Sequence, residues 1–144
     1  MILPDVNVLV YAYREDAPRH DAYRDWLEEV VNGDEAYALS DLVLNGVLRV
    51  VTHPRIFSPP SPIEHALEFI GTLRDHPNCV HLAPGPRHWE IFTRLCTTGG
   101  VKGNLVQDAF YAALAIESGS TWITTDRDYS RFAGLRWKHP LTAT

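Results

Sequence analysis

The opening stretch of the chain decides the fold class, and residues 1–13 read MILPDVNVLVYAY. Residues 2–4 form a short apolar segment, which is typical of a buried strand, and the acidic residue Asp5 follows them directly. The apolar run that resumes at Val6 and continues to Tyr13 predicts a helix. A strand, an acidic turn and a helix in this order are the expected beginning of an α/β fold.

The rest of the chain alternates between the same two kinds of segment. Apolar residues at helical spacing predict five more helices, at residues 20–31, 41–52, 63–74, 86–95 and 105–118. Short apolar segments predict four more strands, at residues 35–39, 79–82, 121–124 and 135–137, with a flexible connection at 97–103 and a helical turn at 126–132. Ser40 and Asn104 are the expected N-caps of the helices that follow them, and Gly119 is the expected stop of the last long helix. The alternation predicts a central parallel sheet with helices on both faces.

Length and composition indicate one ordinary globular domain. The chain has 144 residues, of which 45% are apolar and 22% charged, so we predict a single domain over residues 1–144. The apolar N-terminus carries Asp5 and is far shorter than the roughly 20 residues of a membrane span, so we expect a cytoplasmic protein with no membrane partner. Cys79 and Cys96 show no paired spacing, and we expect both to be reduced.

The formal net charge of −5 argues against a protein that holds nucleic acid by bulk electrostatics. Domains of that kind usually carry a basic excess. The objection weakens if several carboxylates bind divalent cations, because bound ions reverse the local charge.

Acidic residues follow several of the predicted strands. Asp5 follows the first strand, Asp41 the second, and Asp126 and Asp128 the fourth, whereas Asp108 lies in the first turns of the last long helix. The active site of an open parallel sheet lies beyond the carboxyl ends of its strands, so these segments can deliver acids to one edge. Clustered carboxylates repel each other unless a cation neutralises them, and hard oxygen ligands favour Mg²⁺ or Mn²⁺. Such an ion can activate a water molecule for attack on a phosphodiester.

Most of these acids also have an ordinary structural explanation. Asp41 and Asp108 lie near helix N-termini, where the helix dipole favours an acid, and Asp126 and Asp128 can cap the turn that follows them. Asp5 differs, because an acid inside an apolar run is expensive to bury without a function. Local pattern alone therefore singles out Asp5, while the others depend on convergence in the fold.

Three segments, in this order along the chain, form a specific pattern. They are LPDVNVLVYA at 3–12, LVQDAFYAALAIESG at 105–119 and WITTDRDYSRFAGLRWKHPL at 122–141. The pattern resembles the PIN-domain ribonucleases, in particular the VapC toxins of bacterial toxin–antitoxin pairs, and the resemblance runs nearly end to end. It implies a three-layer α/β/α sandwich, endonucleolytic RNA cleavage with Mg²⁺ or Mn²⁺, a homodimer, and inhibition by a cognate VapB-type antitoxin.

The resemblance also assigns roles to individual acids. Asp5 and Asp108 match the metal-binding acids of the family, Asp126 matches its fourth acid, and Asp128 lies beside that position. These four are the predicted metal ligands. Asp5, Asp108 and Asp126, together with Asp41, are the predicted catalytic acids.

Other positions carry supporting roles. Asn7 and Thr125 match polar positions that orient the acids or the attacking water. Arg49, Arg14 and Lys102 are candidates for contact with the RNA phosphates, although lone basic residues are more often solvated surface.

The chain departs from the family pattern in its third helix. The second family acid is usually a glutamate three residues before an arginine, and Gly46 holds that slot before Arg49. Asp41 is the predicted substitute, although the five residues between it and Gly46 turn a helix by about 500° and place the two on different faces. An alternative therefore stays open: a PIN-like module with weak or no catalysis that binds RNA or a protein partner.

Overall fold

The computed structural model describes residues 1–142, so the last two residues of the predicted domain lie outside the described part. The strands are β1 (Ile2–Pro4), β2 (Tyr37–Ser40), β3 (Cys79–Leu82), β4 (Thr121–Ile123) and β5 (Trp137–Lys138). The helices are α1 (Val6–Tyr13), α2 (His20–Asn32), α3 (Asp41–Val51), α4 (Ile63–Arg74), α5 (His88–Thr98) and α6 (Leu105–Ser118), and a 3₁₀ helix (Arg127–Arg131) follows β4. The order of strands and helices is the predicted one.

Some predicted boundaries and caps are wrong in detail. Helix α5 continues to Thr98, so the predicted flexible connection begins later, and β5 is displaced to Trp137–Lys138. The Ser40 hydroxyl accepts a hydrogen bond from the Leu42 N–H at 3.2 Å, as a cap should, whereas Asn104 makes no side-chain cap. The displaced strand has a tertiary cause, because β5 exists only where its backbone pairs with β4.

The five strands form one parallel sheet, as predicted, and their order is β3-β2-β1-β4-β5. Strand β1 lies at the centre, with Ile2 in register with Tyr37 on one side and with Thr121 on the other. The chain builds outwards from β1 to β3 and then crosses back to place β4 on the opposite side of β1. The direction of winding therefore reverses between β1 and β4, and such a switch point opens a crevice at the carboxyl ends of the strands.

The helices form two layers. Helix α1 contacts α2 and α3, and α3 contacts α4, while α5 contacts α6. Connections between parallel strands are almost always right-handed, so winding in opposite directions from the centre places α1–α4 on one face and α5–α6 on the other. The predicted three-layer α/β/α sandwich is confirmed.

The core fixes the elements that border the switch point. Leu3 of β1 and Trp122 of β4 are fully buried, and the four alanines of α6 are buried without exception. Small side chains let α6 approach the sheet closely, which sets the position of its N-terminal turn beside β4. Both cysteines are free thiols. In the part of the chain that the structure describes, no helix combines the length and the apolar character needed to cross a membrane.

Candidate active site

Asp5 is held rigidly at the switch point. Its carboxylate accepts one hydrogen bond from the Val6 N–H at 2.6 Å and another from the Thr124 hydroxyl at 2.7 Å. Its own N–H donates to the carbonyl of Ile123 at 2.8 Å, so backbone and side chain are both tied to the end of β4. The residue is only 5% exposed. Asp5 therefore acts as the N-cap of α1 and as a buried acid at once.

The buried Asp5 carboxylate carries a charge that its neighbours compensate only in part. Its pKa is raised from 3.8 to about 6, chiefly by burial, and the nearby charges of Asp108 and Asp126 contribute to the rise. The hydrogen bonds from Thr124 and Val6 lower the pKa but do not offset the burial. A cation at this position would stabilise the charged form.

Asp108 enters the same crevice from α6. Its carboxylate accepts a hydrogen bond from the Tyr129 hydroxyl at 3.1 Å, and the Tyr129 ring is buried in the 3₁₀ helix after β4. Partial burial raises the pKa of Asp108, and the charges of Asp126 and Asp128 add to this, while the Tyr129 hydrogen bond and the charge of Arg131 lower the pKa. The second acid is thus oriented by a neutral donor.

Asp126 and Asp128 lie in the turn after β4. Asp126 caps the 3₁₀ helix by accepting the Asp128 N–H at 2.8 Å, and its own N–H donates to the Thr124 hydroxyl oxygen at 3.1 Å. The ordinary capping explanation for Asp126 is therefore correct. Its charge nevertheless acts on both Asp5 and Asp108, and that of Asp128 acts on Asp108. Asp5, Asp108 and Asp126 thus lie at one sheet edge within electrostatic reach of each other, and Asp128 lies within reach of Asp108.

Asp41 is not part of this group. It lies exposed at the start of α3, and its carboxylate pairs with the Arg74 guanidinium of α4 at 3.0 Å. The hydrogen bond from Arg74 holds the pKa of Asp41 below its usual value, with His81 as a further positive neighbour. Within residues 1–142 its charged partners thus differ from those of Asp5, and we correct the prediction that Asp41 joins the acid cluster. The cause is strand order, because β2 ends towards β3 and its helix α3 packs on α4.

The crevice and its acids match a known family over almost the whole chain. The profile of the PIN domain matches residues 2–135. The chain belongs to the PIN domain family. The resemblance noted from the three sequence segments is therefore confirmed.

Known PIN domains similar to this chain include several with ribonuclease names. Ribonuclease VapC43 of Mycobacterium tuberculosis is 44% identical over 141 residues, covering 98% of this chain and 96% of the relative. Ribonuclease VapC25 of the same organism is 36% identical over 140 residues, covering 97% and 99%. Among solved structures, VapBC-1 from nontypeable Haemophilus influenzae has a TM-score of 0.70 at 17% identity, covering 99% of this chain and 100% of the other. The last comparison shows a shared fold.

The supporting polar residues of this PIN domain differ from the predicted ones. Asn7 is exposed in the first turn of α1 and Thr125 is half-buried. In the described residues neither side chain makes a hydrogen bond, whereas the neighbouring Thr124, which is fully buried, holds Asp5. Sequence reasoning missed Thr124 because its partner lies 119 positions away in the chain. The only local signal was its place at the end of a β-prone segment.

The three basic candidates lie in different settings. Arg14 is bound on several sides: it forms a two-point ion pair with Asp16 at 2.6 and 2.8 Å, donates to the Ser61 hydroxyl at 3.0 Å and lies over the Phe57 ring. These contacts give Arg14 a structural role, and its contact with a phosphate stays a prediction.

Arg49 and Lys102 remain available for phosphate contact. Both are exposed. The ion pairs within residues 1–142 involve Arg14, Arg24 and Arg74, so neither Arg49 nor Lys102 is paired there.

The acids of this PIN domain have the chemistry of a divalent-cation site. Carboxylate oxygens are hard ligands, and the raised pKa of the buried Asp5 reflects a charge without a cationic partner. In the described chain, however, no three Asp, Glu, His or Cys side chains are already close enough to ligate one ion. Mg²⁺ keeps several waters and binds through one or two carboxylates, so Asp5 with the partly buried Asp108 or Asp126 would be sufficient to hold it.

Gly46 occupies a position with no space for a side chain. A Cβ there would lie 2.8 Å from Val6 Cγ2 and 3.3 Å from the Tyr111 hydroxyl, whereas a Cβ at Gly71, in the middle of α4, would meet nothing within 4 Å. We expect Gly46→Ala to lower the free energy of unfolding by about 1–3 kcal/mol through overpacking. Gly71→Ala should raise it by up to about 1 kcal/mol, because alanine is the better helix former. Urea unfolding of both variants tests this, and equal stability of the two would contradict the steric account.

Proposed function

We propose that this PIN domain is a divalent-metal-dependent endoribonuclease, the toxin of a toxin–antitoxin pair. The observation that carries the proposal is the buried Asp5 at the switch point, with Asp108 and Asp126 within electrostatic reach. The 44% identity to Ribonuclease VapC43 over nearly the full length of both chains supports the assignment of RNA as the substrate. No observation favours the alternative of an inactive binding module.

The protein groups have distinct roles in the proposed reaction. Asp5 and Asp108 would hold the metal, with Asp126 as a third carboxylate, while Thr124 fixes Asp5 and Tyr129 orients Asp108. The bound metal supplies an activated water and stabilises the charge that develops on the phosphodiester. Because the acids repel the anionic backbone, RNA binds productively only when their charge is neutralised. This requirement reconciles the acidic chain with a nucleic-acid substrate.

Mg²⁺ is the proposed metal, and Mn²⁺ is expected to substitute for it. Both ions prefer oxygen ligands, and Asp5, Asp108 and Asp126 offer carboxylate oxygens. Asp128, exposed at the rim beside Asp126, is proposed as an additional ligand.

The proposed partners follow from the relatives. Solved structures of the same fold include VapBC2 from Rickettsia felis bound to a DNA fragment from its promoter, with a TM-score of 0.69, 21% identity and coverage of 96% of this chain and 98% of the other. We propose that this chain, folded as a single domain over residues 1–144, forms a cytoplasmic homodimer inhibited by a VapB-type antitoxin. Co-purification with the protein encoded beside it, followed by measurement of the mass of each assembly, tests both proposals.

The direct test of the activity is cleavage of total cellular RNA by the purified protein in Mg²⁺, in Mn²⁺ and in EDTA. We expect discrete products in either metal and none in EDTA. RNA binding without cleavage in any metal would contradict the nuclease and support the binding module instead.

A further inference from the structure

Tyr111 lies close to Asp5 and Asp108, and its ring is held by the core. It follows Asp108 by three residues on α6, so the two side chains share one side of the helix. The residue is 8% exposed, and its ring stacks on that of Trp122 with 5.6 Å between centroids and 28° between planes. Trp122 in turn packs on Tyr129, whose hydroxyl donates to Asp108. The position of the Tyr111 hydroxyl is therefore set by the core.

The Tyr111 hydroxyl reaches across the crevice. It lies 3.3 Å from the point that a Cβ on Gly46 of α3 would occupy, although α6 and α3 cover opposite faces of the sheet. The tyrosine hydroxyls that donate hydrogen bonds within residues 1–142 are those of Tyr37 and Tyr129. The Tyr111 hydroxyl thus has no partner in the described chain. A fixed polar group in a crevice without a partner is available to a ligand.

Charges of both signs surround this hydroxyl. The negative charges of Asp5 and Asp108 and the positive charge of Arg49 all act on Tyr111. Burial is the main cause that raises the pKa of Tyr111, and the charge of Asp5 adds to it. The hydroxyl therefore keeps its proton and can donate a hydrogen bond. Arg49 is exposed and free of ion pairs in residues 1–142, and it follows Gly46 by three residues on α3. A hydrogen-bond donor and a cation therefore lie close to the acids.

We propose that Tyr111 is a further catalytic residue, whose hydroxyl donates a hydrogen bond to a non-bridging phosphate oxygen of the RNA held at Asp5 and Asp108. Arg49 contributes its charge to the same phosphate. The inference rests on the proposed function, because it takes RNA as the substrate. In this arrangement the neutral Tyr111 hydroxyl beside Gly46 binds the phosphate, and the acids bind the metal. Phosphate oxygens accept such donors, and a preorganised donor is effective because it needs no rearrangement on binding.

The test compares Tyr111→Phe with Tyr23→Phe. Both substitutions remove one hydroxyl and keep the ring, and Tyr23 is equally buried, at 5% exposure, but packs on Tyr11 away from the acids. Affinity is measured by fluorescence anisotropy with a labelled single-stranded RNA of mixed sequence in Ca²⁺, and cleavage of the same RNA is measured in Mg²⁺. We expect Tyr111→Phe to weaken binding and to lower kcat/KM about tenfold or more, and Tyr23→Phe to change neither.

Two further measurements separate contact from structure. The thermal midpoint and the Mg²⁺ concentration for half-maximal activity should stay unchanged in Tyr111→Phe, because the ring and the carboxylates remain. Arg49→Gln, at an exposed position that does not threaten the fold, should also weaken RNA binding and reduce the slope of log affinity against log salt by about one. If Tyr111→Phe unfolds, the Arg49→Gln result decides whether a phosphate binds beside Arg49.

The outcomes distinguish this inference from the proposed function. Wild-type binding and cleavage in folded Tyr111→Phe, or an unchanged affinity and salt slope in Arg49→Gln, would overturn the phosphate contact while leaving the nuclease intact. If the wild-type protein cleaves nothing in any metal, the nuclease fails, and weaker RNA binding by Tyr111→Phe would still support the contact. If that protein also binds no RNA, both fail.

Discussion

Asp5→Asn is expected to lower the rate of RNA cleavage by at least about a hundredfold, because groups that only support a metal ligand already contribute about 10–100-fold. Asparagine has almost the same shape, and its single side-chain oxygen can still accept the hydrogen bond from the Val6 N–H, while its amide group faces the Thr124 hydroxyl, which can accept where it now donates. The substitution therefore removes charge from the metal site with little change in the fold. Initial cleavage rates of a defined RNA in Mg²⁺ and Mn²⁺ measure the loss, and Asp108→Asn should behave in the same way.

Asp41→Asn is the matched control for this experiment. It removes the same charge from the same residue type, but from an exposed side chain that pairs with Arg74. We expect cleavage at the wild-type rate. An equal loss in Asp41→Asn and Asp5→Asn would return Asp41 to the site and contradict the arrangement described above.

Asp5→Asn is also expected to stabilise the metal-free protein at pH 7, by up to about 3 kcal/mol. The pKa of Asp5 is about 6 in the folded state against an ordinary value of 3.8, and each pKa unit corresponds to about 1.4 kcal/mol. The raised pKa means that the folded state binds the proton more tightly, so the charged carboxylate opposes folding above about pH 6. This penalty is relieved as the pH falls from about 6 towards 3.8. The stability difference between Asp5→Asn and wild type should therefore shrink over that interval.

Urea unfolding in EDTA at pH 7 and at pH 4.5 measures this prediction. At pH 7, Mg²⁺ should make wild type more stable than Asp5→Asn. A ligand that binds only the folded state stabilises wild type, whereas a variant with a damaged site gains little from it. The stability of Asp41→Asn relative to wild type should depend little on pH or on Mg²⁺, since exposed ion pairs contribute little to the free energy of unfolding. An Asp5→Asn protein that is less stable than wild type at both pH values would mean that the charged form of Asp5 is needed for its cap.

Local signals in the sequence were sufficient for most of the architecture. Alternating strands and helices predicted the parallel sheet and its two helical layers, because hydrophobic periodicity reports which face of each segment is buried. The same reasoning identified Asp5, since an acid inside an apolar run is recognisable without any tertiary information. Asp108 and Asp126 required the family pattern, because a helix dipole and a turn cap explain each of them locally.

The details of the site depend on strand order, which spacing along the chain does not report. Thr124 reaches Asp5 only because β4 lies beside β1, and Tyr111 meets Gly46 only because α6 and α3 border the same crevice. For Asp41 the local signal was misleading. Its position after a strand suggested a place in the site, yet in the fold it lies next to α4 and pairs with Arg74.

The sequence by itself determined the element order, the layered α/β fold and the central acid, because these follow from local periodicity and from the cost of burying a charge. Only the tertiary structure decided which polar groups surround that acid. Hydrogen bonds act over about 3 Å and charge interactions over about 10 Å, so their partners are set by how the strands and helices pack rather than by their separation in the chain.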